Sequence, residues 1–337
     1  MALLSRQFEQ ALQSIEPPRD DKDNAAAAHQ IVRDVLMAAE ELQDWGLEPI
    51  LIGSYKRNVS IRRVKDVDVF CRMQEISDDV LPSSVLDQFH EVLSRSFGVD
   101  DDGNKRVIPQ ARSIKVEFPE FEELHVDAVP ARLRSDGYWE IPTKDGDWQQ
   151  TNPDDLTTLK TVMNEEYEGK YVPLVKLVRQ TRRSVLGLGS HPGGLFAEMC
   201  LYDACFNNKV SKEGLTLGYV TALEAIAEFL EDKLAWGRSL PDPTMPGHQL
   251  FFRATDDEWE AARIKFCSAA ITARQAYVEE DSGKAAVLFR TLLGENGDGD
   301  VVFPMPEGYN ENGSKKDSAV LITPGSPNVP AGDRRFG

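Results

Sequence analysis

Basic residues and cysteines are scarce in this chain of 337 residues. Its 38 Lys and Arg residues face 56 Asp and Glu residues, which gives a formal net charge of −18. Such a chain repels nucleic acid and anionic membranes in bulk, so a general DNA or RNA coat protein is excluded. Any phosphate site must then be a local basic pocket in an acidic body. The 4 cysteines form no CxxC pair and show no zinc spacing, so we expect them to be reduced and buried.

Long apolar stretches are also missing. No apolar run approaches the roughly 18 residues that a membrane helix needs, and the apolar part of residues 1–10 is too short for a secretion signal. We therefore expect a cytoplasmic protein without a membrane partner. Hydrophobic residues make up 41% of the chain and charged residues 28%, which is typical of a soluble globular protein, and the length suggests about two domains.

Hydrophobic periodicity predicts a first half that mixes strands and helices and a second half that is helical. The expected elements of the first half are helices over 25–45 and 82–97 and strands over 49–52, 64–73, 113–118 and 124–129. The expected helices of the second half cover 154–166, 173–186, 194–207, 216–236, 256–279 and 282–293. These patterns predict a core with an N-terminal helix over 1–150, a helical lobe over 151–307 and a flexible tail over 308–337.

Two aspartates, Asp66 and Asp68, alternate on the predicted strand 64–73 and therefore point to the same side of it. Like charges so close repel each other unless a cation lies between them, and Mg²⁺ prefers carboxylate oxygens. Asp127 falls on the polar face of the strand 124–129 and joins the pair if the two strands are adjacent. Three such carboxylates can hold two metal ions about 3.5–4 Å apart, which activate an attacking hydroxyl and neutralise a leaving pyrophosphate. An edge strand with solvated aspartates is the alternative.

A glycine and a serine, Gly53 and Ser54, follow the predicted strand 49–52. Glycine lets the backbone approach an anion closely, and exposed N–H groups with a serine hydroxyl can hold phosphate oxygens. This spacing ahead of Asp66 predicts a phosphate-binding turn. An ordinary turn is the alternative.

Basic residues share one face of the predicted helix 173–186, where Lys176, Arg179 and Arg183 recur at offsets of three, four and seven. A positive face in so acidic a chain suggests an anionic partner. We expect Lys176 to contact a triphosphate, because it comes early on the helix. For the arginines a solvated helix face is the alternative.

Several motifs of the chain belong together. They are Gly53-Ser54-x-x-Arg57-x-x-x-Ile61, Asp66-Val67-Asp68, His125-Val126-Asp127-x-Val129-Pro130, Trp148-x-x-Thr151-Asn152-Pro153 and Leu240-Pro-Asp-Pro-Thr-Met-Pro-Gly. This set, which spans about residues 50 to 250, resembles the polymerase-β-like nucleotidyltransferases. Within them it is similar to the bacterial cyclic-oligonucleotide synthases (CD-NTases), relatives of animal cyclic GMP-AMP synthase and oligoadenylate synthase.

The resemblance implies an α+β fold, in which a nucleotidyltransferase core of mixed sheet and helices and a helical C-terminal lobe enclose the active-site cleft. It implies that ATP and other ribonucleoside triphosphates bind there with two Mg²⁺ ions, or Mn²⁺ in their place. The metal ligands would be Asp66, Asp68 and Asp127.

The resemblance also assigns the phosphate contacts. Gly53 and Ser54 would hold the donor triphosphate and Lys176 its outer phosphates, and Ser190 is the candidate for a serine from the helical lobe. The chain departs from the family at Val59, where a threonine is common, so a hydroxyl that supports the loop is missing.

By the same resemblance, the product is a cyclic di- or trinucleotide second messenger that activates a separate effector during phage infection. The C-terminal Gly337 would be a site for a ubiquitin-like conjugation enzyme, and another regulatory protein or an ordinary chain end is the alternative. Two other functions stay open: a transferase that modifies an RNA end or a protein, and a nucleotide sensor with a degenerate site. Base choice, linkage, ring size, activating signal and oligomeric state are not readable from the residues.

Overall fold

The computed structural model describes residues 4–122, 124–143 and 145–316. Most of the expected tail, including Gly337, lies outside the described residues. Within them, the cysteines are free thiols, of which Cys71, Cys200 and Cys205 are buried and Cys267 is partly exposed. In this part of the chain, no helix combines the length and the apolar content needed to cross a membrane.

The first half forms one mixed sheet. Its strands are β1 (Leu47–Ile52), β2 (Asp66–Met73), β3 (Val107–Pro109), β4 (Ile114–Phe118), β5 (Leu124–Leu133), β6 (Trp139–Pro142) and β7 (Trp148–Thr151). The strand order is β1-β2-β5-β4-β3, and β6 pairs with β5 and β7. Strands β2 and β5 are parallel to each other, and the other pairs are antiparallel.

The helices divide between the sheet and a separate lobe. They are α1 (Ser5–Ile15), α2 (Arg19–Ala38), α3 (Glu40–Gln43), α4 (Gly53–Lys56), α5 (Pro82–Phe97), α6 (Pro153–Glu166), α7 (Tyr171–Leu186), α8 (Gly194–Phe206), α9 (Leu215–Trp236), α10 (Asp256–Val278) and α11 (Ser282–Leu293). Helices α2 and α5 cover one face of the sheet, where their apolar side chains pack against β2, β4 and β5. Helices α6 to α11 form the helical lobe, so the expected α+β architecture is confirmed.

The alternation of β2 decides which of its side chains reach the cleft. Val67 and Val69 belong to the core under α2 and α5. Phe70 does not share their face: it follows the alternation onto the side of Asp66 and Asp68 and is buried there against Trp139, with ring centroids 5.9 Å apart.

Helix α1 packs on the helical lobe, whereas the sequence predicts that residues 1–150 form one core domain. Its residue Phe8 contacts Tyr219, Phe289 and Phe303, with centroid distances of 5.8, 4.9 and 5.1 Å. Helix α1 therefore belongs to the hydrophobic core of the helical lobe, although it precedes the sheet in the chain. At the other end, the chain up to residue 316 also packs on this lobe, where Tyr309 lies against Gly283 of α11.

Candidate active site

Three carboxylates meet at one end of the paired strands β2 and β5. The parallel register places Asp66 beside His125 and Asp68 beside Asp127. Because both strands bury their alternate residues under α2 and α5, all three aspartates lie on the opposite face, toward the helical lobe. The structure thus places Asp127 beside the two aspartates that the sequence singles out.

The turn after β1 closes on this group. Gly53 has a φ of +77°, and a Cβ built on it would collide with Oδ2 of Asp68. Only glycine combines this backbone conformation with so close an approach. The backbone of the Gly53–Ser54 turn therefore lies directly beside the carboxylate of Asp68.

Burial and repulsion by neighbouring carboxylates disfavour the charged forms of Asp68 and Asp127. Burial, with the charges of Asp66 and Asp127 nearby, raises the pKa of Asp68 from 3.8 to about 7. The pKa of Asp127 is raised as well, mainly by burial, although His125 acts in the opposite direction. Arg57 and Arg179 also act on Asp68 but do not offset the effect of burial.

Two features of this group fit a divalent cation. Oδ1 of Asp127 is buried and has no hydrogen-bond partner among the described residues. Burial raises the pKa values of Asp68 and Asp127, a bound cation would favour their charged forms, and carboxylate oxygens are ligands that Mg²⁺ prefers. In the described part of the chain, however, no group of three or more His, Cys, Asp or Glu is closed into a metal site as it stands. A cation would have to draw the three side chains together.

A cavity of about 380 Å³ opens beside the carboxylates, between the sheet and the helical lobe. The aspartates and the turn contribute Asp66, Asp68, Gly53 and Ser54 to its wall. Described residues from later in the chain complete it, namely Thr151, Asn152, Pro153, Leu156, Arg179, Gly194, Leu195, Met199, Asp242, Pro243, Thr244 and Leu250. Its size and mixed lining suit a polar ligand of nucleotide size.

The loop after the turn contains its own hydroxyl support. Oγ of Ser54 lies 3.1 Å from Oγ of Ser60, within hydrogen-bond distance. Val59 is buried in the core of the helical lobe. Val59 has no hydroxyl, and the hydroxyl of the next residue, Ser60, contacts Ser54 of the turn.

The structure does not bring Lys176 and Ser190 to this cavity. Lys176 is only 5% exposed, and its ammonium group pairs with Glu16 at the end of α1. Oγ of Ser190 donates to the carbonyl of Leu186 at 2.7 Å, at the end of α7. Lys176 is held away from the cavity by Glu16, which follows helix α1. The sequence predicts no secondary structure for this segment of the chain.

Two arginines lie in the wall of the cavity. Among the described residues that line the cavity, Arg57 and Arg179 supply the positive charge. Arg179 lies one turn after Lys176 on α7, and its side chain is 17% exposed. Sequence reasoning had included Arg179 in the basic face but had favoured Lys176.

Two loops that line the cavity contain sequence motifs of the family, but the sequence assigns no role to their residues. Thr151 and Asn152 end β7 and lead into α6. The side chain of Asp242 accepts hydrogen bonds from both N and Oγ1 of Thr244, at 2.8 and 2.7 Å. The Pro-rich composition around Asp242 was the signal for an ordered loop, but it does not show which cavity the loop faces.

Comparison with known proteins agrees with this geometry. Residues 1–164 match the model of the Second Messenger Oligonucleotide or Dinucleotide Synthetase domain. The cyclic AMP-AMP-AMP synthase of an Acinetobacter strain is 30% identical over 353 residues, which cover 97% of this chain and 96% of that protein. The structure of CdnC from E. coli MS115-1 with ATP has a TM-score of 0.68 and 16% identity, and the match covers 89% of this chain and 98% of that one. The complex of CdnC with HORMA-deltaN gives a TM-score of 0.66 and 17% identity, with coverage of 86% and 96%.

Proposed function

The chain belongs to the bacterial cyclic-oligonucleotide synthases, which are nucleotidyltransferases, and we propose that it joins ribonucleoside triphosphates into a cyclic di- or trinucleotide and releases pyrophosphate. The observation that carries this proposal is the parallel register of β2 and β5, which sets Asp68 beside Asp127 at a cavity of nucleotide size. The cavity lies between the sheet and the helical lobe, where a substrate would contact both.

The three aspartates would hold two Mg²⁺ ions, or Mn²⁺ in their place. When bound, such ions lower the pKa of an attacking hydroxyl and offset the charge on the leaving pyrophosphate. Asp66 and Asp68 line the cavity, and the buried Oδ1 of Asp127 is an acceptor that a cation would satisfy. The proposed metal ligands are therefore Asp66, Asp68 and Asp127.

The phosphates of the donor nucleotide would lie against Gly53 and Ser54. The backbone of this turn approaches Asp68 closely, so phosphate oxygens held by the turn would lie near the proposed metal ligands. Arg179, which also lines the cavity, supplies the positive charge that we expected from Lys176. Catalysis then rests on alignment of a ribose hydroxyl with the α-phosphate and on electrostatic stabilisation.

ATP is the proposed first substrate and a ring of three nucleotides the proposed product. The support is the Acinetobacter relative, whose name gives three AMP units. A family member with 23% identity is named a cyclic AMP-AMP-GMP synthase, so GTP remains a second substrate to test. Base choice would depend on groups in the cavity wall such as Asn152 and Thr244.

The test is incubation of the protein with the four ribonucleoside triphosphates and Mg²⁺, followed by mass analysis. We expect a phosphatase-resistant cyclic product from the native chain and none from the double variant Asp66→Asn/Asp68→Asn. The exposed Asp101→Asn is the matched control and should retain activity. Label on an RNA end or on a protein, without a small product, would instead support the modifying transferase.

The biological setting is proposed from family membership. The messenger would be made in the cytoplasm during phage infection and would activate a separate effector. Conjugation at Gly337 by a ubiquitin-like system is also proposed, and intact-mass measurement after co-expression tests it: an unmodified C-terminus would contradict it. Another regulatory protein is proposed as the alternative partner.

A further inference from the structure

A buried ion pair joins the sheet domain to the helical lobe at the floor of the cavity. Arg57, which follows α4, donates from Nε and Nη2 to the two carboxylate oxygens of Glu198 on α8, at 2.9 and 3.0 Å. Glu198 is 1% exposed and Arg57 5%. Burial opposes the charge on Arg57, yet Glu198 raises the pKa of the guanidinium above its ordinary value. Both oxygens of Glu198 are thus committed to one strong, two-pronged contact.

A second guanidinium shares the same carboxylate. Nη1 of Arg179 lies 3.4 Å from Oε2 of Glu198, which already accepts from Arg57. The contact is long, so it is the weaker of the two. Arg179 also lines the cavity, as do Gly53 and Ser54 of the turn. The guanidinium of Arg179 therefore contacts Glu198, acts electrostatically on Asp68 and lines the cavity in which the phosphates are proposed to bind.

The backbone of α8 leaves room for this guanidinium. A Cβ built on Gly194 would lie 3.0 Å from Cζ of Arg179. Any larger side chain at position 194 would push the guanidinium away. Glycine at the start of α8 thus allows Arg179 to lie between Glu198 and the cavity.

Two guanidinium groups share the carboxylate of Glu198, and other arginines follow on α7. One carboxylate serves both Arg57 and Arg179. Further along α7, burial lowers the pKa values of Arg182 and Arg183, and the charge of Arg179 lowers them further. Guanidinium groups that repel one another in a partly buried place favour the binding of an anion.

We propose that Glu198 is a positioning residue that acts as an internal substitute for substrate phosphate. It holds Arg57 at all times and holds Arg179 only while the cavity lacks a triphosphate. When phosphate arrives, Arg179 exchanges its long contact with Glu198 for a charge-assisted contact with a phosphate oxygen. The inference rests on the proposed function, because it assumes that nucleotide phosphates occupy this cavity.

The variant Glu198→Gln tests this role, since glutamine keeps the shape of the side chain and removes its charge. The free protein should then unfold at a lower temperature, because the buried guanidinium of Arg57 and the partly buried one of Arg179 lose their counter-ion. Affinity for an anion should rise, because Arg179 no longer has a carboxylate to leave. We expect tighter binding by about threefold to tenfold, the scale of one weak charge-assisted hydrogen bond.

The measurement is isothermal titration with inorganic pyrophosphate and Mg²⁺, supported by thermal unfolding with and without pyrophosphate. Glu198→Gln should bind pyrophosphate more tightly than the native protein and gain more thermal stability from it. In an Arg179→Gln background the same substitution should have no effect on affinity. The control is Glu224→Gln, which breaks a comparable two-pronged pair with Arg274, at 2.7 and 2.6 Å, on the same lobe. It should leave pyrophosphate affinity unchanged.

A second variant covers the case in which Glu198→Gln does not fold. The double variant Arg57→Gln/Glu198→Gln removes the buried pair as a whole, so the net charge is unchanged and no charge of that pair is left alone. Because Arg57 itself lines the cavity, this double variant is compared with Arg57→Gln alone, in which Glu198 still holds Arg179. Pyrophosphate should bind more tightly to the double variant than to Arg57→Gln.

Equal or weaker affinity in these folded variants would overturn the role of Glu198, as would an effect that persists without Arg179. A merely structural role lowers stability but gives no anion-dependent recovery. Failure of the native protein itself to bind pyrophosphate would instead contradict the proposed function.

Discussion

Replacing Asp68 by Asn should stabilise the protein when divalent cations are absent, although it should abolish activity. The pKa of this carboxyl is raised from 3.8 to about 7 by burial and by the charges of Asp66 and Asp127. The folded protein therefore retains a proton that the unfolded chain has released. It follows that stability falls as the pH rises from about 4 to about 7, and it stays low above that range.

The magnitude follows from the size of this change. A rise of the pKa from 3.8 to about 7 corresponds to about 4 kcal/mol at pH 8, as an upper value. Asparagine carries no charge, so the substitution removes this cost at pH 8 and has little effect at pH 4. We expect the unfolding temperature to rise by about 5 °C at pH 8.

The effect is measured by thermal unfolding in EDTA at about pH 4.5, near the start of this range, and at about pH 8, above its end. Native protein, Asp68→Asn and the exposed control Asp101→Asn are compared. Mg²⁺ should raise the unfolding temperature of the native protein at pH 8 and do less for Asp68→Asn. The reasoning is refuted if Asp68→Asn is no more stable than the native protein at pH 8 in EDTA.

Four further substitutions test other parts of the structure. Gly53→Ala should abolish activity and cost about 2 kcal/mol or more, because the residue has a φ of +77° and its new Cβ would meet Asp68; unchanged kinetics would contradict the close approach of the turn. Arg179→Gln should raise the KM for ATP by about tenfold, the loss expected for one charge-assisted contact. Lys176→Gln should change the KM by less than about twofold. The opposite order of effects would show that Lys176 is the phosphate contact. Phe8→Ala should lower the free energy of unfolding by about 3–5 kcal/mol, because it empties a site among three aromatic rings of the helical lobe; a change below about 1 kcal/mol would show that α1 does not belong to that core.

The alternation of short strands made the carboxylate group predictable. Asp66 and Asp68 are two residues apart, so their common side follows from strand geometry alone. Their meeting with Asp127 could be expected only if β2 and β5 were neighbours. That pairing, between strands far apart in the chain, depends on which faces α2 and α5 cover, and the resemblance to a family supplied it.

The sequence does not decide which basic residue of α7 lies at the cavity. Helical periodicity puts Lys176 and Arg179 on one face of α7, but it cannot say what lies opposite each residue. Lys176 meets Glu16, which is 160 positions away in the chain. The signal for α1 was present, because Phe8, Ala11 and Ile15 follow a helical period and all are buried. Glu198 gave no signal, since an isolated glutamate in an apolar helix does not indicate its partner.

The central claim is that Asp66, Asp68 and Asp127 together bind the catalytic cations. A crystal structure with Mg²⁺ and a non-hydrolysable ATP analogue tests it most directly. The account predicts two metal ions in contact with these three carboxylates and with the phosphates beside Gly53 and Ser54. A structure in which the bound nucleotide and its metal ions leave Asp127 without a metal contact would contradict it.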